Sequence, residues 1–435
     1  MAGLNETHDP QLRCWLASAS AGDFTVQNLP FGLFRRAGAS EAFRVGVAIG
    51  DQILDIAALL AAGAFDGEAA AAARLCSGGS LNGLMAAGSV KQSALRLALS
   101  RGLREGSAQQ AVFTACLSPQ AQAELSLPAH IGDFSDFYAS IHHATRVGRL
   151  FRPDNPLMPN YKWLPVAYHG RSSSISIGGG SVMRPRGQVK GPDDALPRMA
   201  VSQRIDYELE LGFYVGAPTR SGDTVPLDQA EDHLFGVCLL NDWSARDIQA
   251  WEYQPLGPFL AKNFASTVSP WVVTMEALEP YRAPFERPAD DPALLEHLDS
   301  AANRSRGAID IRMEAWIQTE KMREQGLPAQ RLSHSTFAYS YWTAGQMVTH
   351  HGSNGCNLIA GDLIGTGTQS GPALSEAGCL LELSEGGKTA IALPSGETRR
   401  FVENGDTIIF RGFCERDGYA RIGLGECAAT IVAAP

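Results

Sequence analysis

Tyr207-Glu-Leu-Glu-Leu-Gly-Phe-Tyr-Val215 is the stretch on which the fold is read. Alternate residues of a strand point to the same face. Glu208 and Glu210 therefore stand side by side, with Cα atoms roughly 7 Å apart, while Leu209, Leu211 and Phe213 face a core on the other side. In an ordinary half-exposed strand such a pair is two solvated glutamates. Two other segments argue against that. Phe235-Gly-Val-Cys-Leu-Leu-Asn-Asp242 is an apolar run with Asp242 at its end, where a sheet delivers side chains to a site. Ser135-Asp-Phe-Tyr138 opens a helix-like stretch, placing Asp136 where the helix dipole favours a carboxylate.

Four acids so mounted form a shell of carboxylate oxygens without a matching thiolate or histidine set. That donor set suits a hard divalent cation, Mg²⁺ or Ca²⁺, better than zinc or copper. Four carboxylates overcompensate one dication, so nearby cations are required. Arg246 and Lys262, which follow Asp242 in the same segment, are expected to supply them.

A chain of 435 residues exceeds what one core usually serves, and two domains are expected. An apolar content of 45% with 19% charged residues describes a soluble globular enzyme or binding protein. The formal net charge of -10, without a basic stripe, argues against nucleic acid. The eight cysteines are scattered and form no Cys-x-x-Cys pair, so they read as reduced thiols. The N-terminal residues lack the pattern of a signal peptide, and no apolar run is long enough to span a bilayer. No membrane partner and a cytoplasmic location are the expectation.

From Phe31 to Ile56 short apolar runs split by turns read as a β-meander. Ala57 to Cys76 and Val90 to Leu103 have helical composition. This N-terminal unit gathers few polar residues and reads as a packing or assembly module. The proline-containing stretch Leu117 to Pro128 reads as a linker or inter-domain strand. Beyond Ile131 short strands punctuated by Gly, Pro, Asn and Asp give a mainly β (α+β) domain. The expected division is 1–118 and 119–435.

Asn241 to Asn263 carries strand, turn, helix and loop, with Ser244 and Asp247 in capping-box spacing. Arg246, Gln249 and Tyr253 recur at helical spacing, so one face presents donors suited to a carboxylate or a developing oxyanion. His143 lies seven residues after Asp136, about 10 Å along a helix, and competes with His142 for the role of general base. A good base needs a carboxylate on its other nitrogen. Glu382, alternating with apolar neighbours in Cys379-Leu-Leu-Glu-Leu-Ser384, reads as projecting from a strand, although the sequence alone does not bring it to His143. On a strand, His350 and His351 would face opposite ways. Tyr168-His-Gly-Arg171 reads as a turn.

Asp136-Phe-Tyr-Ala-Ser-Ile-His-His-Ala-Thr-Arg-Val-Gly148, Leu164-Pro-Val-Ala-Tyr-His-Gly-Arg-Ser-Ser173 and Asn241 to Asn263 closely resemble the fumarylacetoacetate hydrolase family. The likeness runs nearly end to end. Tyr207-Glu-Leu-Glu210, Thr349-His-His-Gly-Ser-Asn-Gly-Cys-Asn357 and Gly412-Phe-Cys with Gly418-Tyr fit as well, and the additional N-terminal unit resembles that of the family's longer, two-domain members. The resemblance implies a small SH3-like barrel with helices ahead of a large mixed β-sandwich roll, and a homodimer. It implies metal ligation by Asp136, Glu208, Glu210 and Asp242, with a second, structural Mg²⁺-like contact at Lys262 and Ser266, in the loop after the lysine. It assigns water activation to His143 with Glu382, an oxyanion role to Arg246, Gln249 and Lys262, and substrate contacts to Tyr138, Arg152, Tyr168, Tyr253 and Thr368, together with Arg246 and Gln249. Ala265-Ser266 stands where family members are expected to have glycine followed by threonine, and Ser266 keeps the hydroxyl.

The implied reaction is hydrolysis of a carbon–carbon bond in a dicarboxylate diketone, 4-fumarylacetoacetate, to fumarate and acetoacetate, the last step of tyrosine and phenylalanine catabolism. A relative acting on smaller substrates, such as an acylpyruvate hydrolase or an oxo-acid decarboxylase, would share the carboxylate shell but not the N-terminal unit. A non-catalytic cation- or carboxylate-binding protein would have no use for both His143 and Glu382.

Overall fold

The alternation of the glutamate stretch survives in three dimensions, and it divides the molecule into layers. The computed structural model describes residues 3–434. Leu209–Val215 is a strand buried along its whole length, paired antiparallel with Leu234–Asp242 on one side and with Leu363–Gly365 on the other. These three are the centre of an eight-stranded sheet. Phe134–Phe137 runs parallel to Leu363–Gly365 and carries Ala167–Gly170 at the edge. Beyond Leu234–Asp242 come Ser266–Val268 and then Ile175–Ile177, with Val273–Thr274 also pairing to the long strand.

One face of this sheet presents Leu209, Leu211, Phe213, Val237 and Leu239. They pack into a core shared with a second sheet of five strands, whose Met313, Ala315, Ile317, Phe410, Ile422 and Leu424 come from the opposite side. Both layers alternate, as two mainly antiparallel sheets packed face to face require. The result is a strand-rich mixed α/β body.

The other face carries Tyr214, Cys238, Leu240, Phe134 and Leu363, which are buried in a second core with the N-terminal unit. That unit has the expected meander: Phe31–Arg36, Arg44–Ile49 and Gln52–Asp55 pair in succession. Helices Ile56–Ala61, Gly67–Leu75 and Ser89–Leu103 cover it. The stretch read as a linker or inter-domain strand is strand at both ends and belongs to this sheet. Leu117–Pro119 pairs with Gln52–Asp55, and Ala123–Ser126 pairs with Phe31–Arg36, so the two segments form its opposite edges. Pro119 is tolerated because it ends an edge strand, where no ladder donor is needed. Phe31 and Val272 exchange backbone hydrogen bonds of 3.0 and 2.8 Å, tying the unit to the large body.

Candidate active site and metal centre

At the end of the sheet beyond the N-terminal unit, the rows of side chains that carried Tyr214 and Leu240 turn acidic. Glu210 lies in the strand Leu209–Val215 and Glu208 immediately precedes it, Asp242 is the last residue of the partner strand, and Asp136 comes from Phe134–Phe137. One oxygen from each of the four lies within 4.8 Å of the others, and all four residues are buried. Asp136 is therefore on a strand and not at a helix N-terminus. The helix begins later, at Ile141–Phe151, with Ser140 as its cap accepting from the His143 N–H. A close neighbour makes room for Asp136: a Cβ on Gly365 would lie 2.4 Å from its Oδ1. The Gly367 N–H donates to that same oxygen at 3.0 Å.

The electrostatics of the four acids are uneven. Burial, then the charge of Asp242, pushes Asp136 well above the usual carboxylate range. Burial and Asp136 do the same to Glu210. For Glu208 burial also opposes the charged form, but Lys262 and Arg246 outweigh it and hold the carboxyl below its ordinary value. Both oxygens of Glu210 are buried without a hydrogen-bond partner. Orphaned buried carboxylate oxygens beside three more acids are a poor arrangement for a bare protein and a good one for a cation with oxygen preference. The four residues thus fit a hard divalent ion.

Lys262 Nζ reaches Glu208 Oε2 and, at 2.7 Å, Asp242 Oδ2. Ser266 Oγ donates to Asp242 Oδ1 at 3.0 Å, and Tyr168 Oη donates to Asp242 Oδ2 at 2.6 Å. Tyr168 lies on the edge strand Ala167–Gly170, where the sequence reads as a turn. Arg246 opens the helix Arg246–Glu252, whose cap residue is Ala245, so the Ser244–Asp247 capping box does not form. Asp247 instead accepts from Ser202 Oγ and the Gln203 N–H. Arg246 Nη1 pairs with Glu208 Oε1 at 2.8 Å and donates to Gln249 Oε1 at 3.0 Å. Occupying the amide oxygen of Gln249 in this way turns its NH₂ outward as a donor.

His143 Nδ1 lies 2.6 Å from Glu382 Oε1. Glu382 sits in a helical turn, Leu380–Leu383, and not on a strand. It is buried among donors: Ser370 Oγ at 2.7 Å on the same oxygen, Arg146 Nη1 at 3.0 Å on the other, and the Cys379 thiol at 3.4 Å. Burial opposes its charge, but His143 and these donors outweigh it and lower its pKa to about 2. With Nδ1 engaged, Nε2 is the nitrogen His143 presents to the cavity. His142 stacks edge-on against Tyr339. His350 and His351 lie in the helix Ala344–Gly352, not on a strand, and His351 Nε2 meets Ser135 Oγ at 2.8 Å, apart from the acidic cluster.

A cavity of about 440 Å³ is lined by Asp136, Tyr138, His143, Arg152, Tyr168 and Glu208, and by Arg246, Gln249, Tyr253, Lys262 and Thr368. Glu210, Asp242, Ser266 and Glu382 lie behind this lining. The Arg152 Nε and Thr368 Oγ1 atoms are buried without a protein partner, leaving polar groups unspent at the cavity wall. Two residues were not singled out in the sequence. Arg204 also lines the cavity, its guanidinium over the Phe401 ring, and Arg146 braces Glu382. Arg146 follows His143 by three residues on one helix, a spacing that was available as a signal. Nothing local marks Arg204.

Residues 27–128 match the family described as Fumarylacetoacetase N-terminal, and residues 134–432 match Fumarylacetoacetate (FAA) hydrolase C-terminal. The Fumarylacetoacetase of Caenorhabditis elegans is 44% identical over 433 residues, covering 97% of this chain and 100% of the relative. The Homo sapiens Fumarylacetoacetase is 43% identical over 422 residues, with 96% and 98% covered. A solved Fumarylacetoacetate hydrolase from Exiguobacterium antarcticum has the same fold, with a TM-score of 0.51 at 16% identity over 93% of this chain and 99% of that one.

Proposed function

Because this chain belongs to the fumarylacetoacetate hydrolase family and carries both its N-terminal and its C-terminal regions, we propose that it hydrolyses 4-fumarylacetoacetate to fumarate and acetoacetate, the last step of tyrosine and phenylalanine catabolism. The observation that carries this reading is the convergence, on one cavity, of four buried carboxylates and a histidine braced by a glutamate at 2.6 Å.

Water attack needs a base, and His143 Nε2 accepts the proton as the water oxygen adds to the carbonyl next to the fumaryl group. Glu382 holds the other nitrogen and stabilises the imidazolium that forms. Negative charge develops on the attacked oxygen, where Arg246, the outward NH₂ of Gln249 and Lys262 receive it. Collapse breaks the carbon–carbon bond. The hydroxyl remains with the fumaryl part, and the departing acetoacetate carbon regains a proton from His143. Tyr138, Arg152, Tyr168, Tyr253 and Thr368 surround the remainder of the doubly anionic substrate, with Arg152 as the charge for a carboxylate. Asp136, Glu208, Glu210 and Asp242 would hold Mg²⁺ or Ca²⁺, with Lys262 and Ser266 contributing at Asp242. Such an ion supplies Lewis-acid polarisation and positive charge at the diketone end. The same reading includes a homodimer, a cytoplasmic location and an SH3-like N-terminal barrel.

The test is loss of the conjugated-diketone absorbance of fumarylacetoacetate with purified protein. Equimolar fumarate and acetoacetate are expected with Mg²⁺ or Ca²⁺ present, and turnover is expected to stop after chelation. Faster cleavage of an acylpyruvate than of fumarylacetoacetate would move the chain to another branch of the family. No cleavage of either would leave a cation-binding protein.

A further inference from the structure

We propose that Asp206 is a positioning residue that locks the oxyanion arginine and the turn carrying the water-activating glutamate to each other; the inference rests on the reaction proposed above. Asp206 lines no part of the cavity and belongs to no metal cluster. It is fully buried, at the end of the short strand Ile205–Asp206, which pairs with Ser244–Ala245 just ahead of the helix that opens with Arg246. Its Oδ1 accepts from the Leu380 N–H at 2.8 Å and from the Tyr207 N–H at 2.9 Å. Its Oδ2 accepts from the Leu381 N–H at 3.0 Å and from Arg246 Nε at 2.9 Å. Arg246 Nη2 is equally close but angled away from a proper bond, which keeps its protons unspent.

Leu380 and Leu381 are the first two residues of the turn that carries Glu382, and Cys379, at the cap position, makes no capping bond. A carboxylate from a distant segment therefore closes that turn and fixes where Glu382 points. The same oxygen that holds Leu381 holds Arg246, whose other end is fixed by Glu208 and Gln249. A buried ion pair with one carboxylate serving three backbone amides is weak evidence for stability, since apolar residues of like volume often do as well. It is a good device for orientation. Base and oxyanion donor must be placed together to within a fraction of an ångström, and they come from segments far apart in the chain.

Asp206→Asn in the full-length, metal-loaded protein offers one acceptor oxygen where two are needed. We expect kcat to fall about 10- to 100-fold with KM within about 3-fold, and metal content to be unchanged. In an Arg246→Ala or a Glu382→Gln background the same substitution is expected to cost clearly less, because the residue it acts through is already gone. The Arg246 Nε–H resonance, protected in the wild type, is expected to be lost. Wild-type kcat in Asp206→Asn, or effects that multiply fully in both backgrounds, would overturn the proposal. Asp206→Glu, which keeps the charge but not the geometry, is the second variant, and is expected to fold with reduced kcat. If neither variant folds, Asp206 is a purely structural residue and the proposal fails. A wild type with no activity on fumarylacetoacetate would defeat the proposed reaction, while the resonance would still decide what Asp206 holds.

Discussion

The two ends of one sheet face differ in everything but their backbone. At one end Tyr214, Cys238, Leu240, Phe134 and Leu363 are apolar and sealed under the N-terminal unit. At the other, Glu208, Glu210, Asp242 and Asp136 project from the same strands, on the same side, and meet in a cluster. The alternation of the strands delivers both sets, and what lies above each end decides its chemistry. An apolar lid stabilises the apolar end by burial alone. The acidic end is buried too, beside the cavity, but gains stability only when its charge is offset, as Lys262 and Arg246 do and a bound cation would. One end is expected to hold the fold together and the other to perform the function.

Substitutions that separate those two roles give the largest effects. Asp242→Ala is expected to lose bound metal and turnover together, a fall of more than about 10⁴-fold, while the metal-free protein loses some thermal stability because Lys262, Ser266 and Tyr168 lose a shared acceptor. Metal analysis beside a turnover assay checks this. His143→Ala is expected to lower kcat by about 10²- to 10⁴-fold with metal still bound. If turnover were retained, the dyad would have no role in water activation. Leu240→Ala tests the apolar end: a loss of about 2–5 kcal/mol in unfolding free energy, with kcat of the folded enzyme within about 3-fold. A large kcat effect without destabilisation would erase the division of labour.

Gly365 marks the acidic side of the boundary. Gly365→Ala puts a methyl against the Asp136 carboxylate, so metal affinity is expected to weaken by about 10-fold, read by titration calorimetry, with a smaller change in melting temperature. The smallest effect concerns pH. Glu382 has its pKa lowered to about 2 from an ordinary 4.5. Its ionised form therefore contributes stability that is fully present above about pH 4.5 and is lost as pH falls toward 2. The stability difference between wild type and Glu382→Gln, measured by denaturant unfolding, is expected to shrink over that window. A constant gap would place the stabilisation elsewhere.

The sequence carried a good part of this site. Period-two alternation puts Glu208 and Glu210 on one side, and the end of an apolar run marks Asp242, and the structure brings these three together with Asp136. Helical spacing was enough for Arg246 and Gln249. It failed where two local signals overlapped. Asp136 lies four residues before the Ser140 cap, close enough that the coming helix was read one strand too early. Glu382 alternates with leucines in a run too short to distinguish a strand from one helical turn, and the turn is completed by Asp206 from another part of the chain. The prolines of Leu117 to Pro128 leave linker and strand undivided in the sequence, because edge strands accept proline as readily as linkers do.

By itself the sequence determined the residue types, the strand faces and the family, since these rest on local periodicity and on long runs of matching residues. Only the tertiary structure decided that the four acids meet in one cluster, that His143 meets Glu382, and that one buried aspartate bonds both Arg246 and the turn that carries Glu382. Those contacts join segments far apart along the chain, and no local pattern encodes a distance between them.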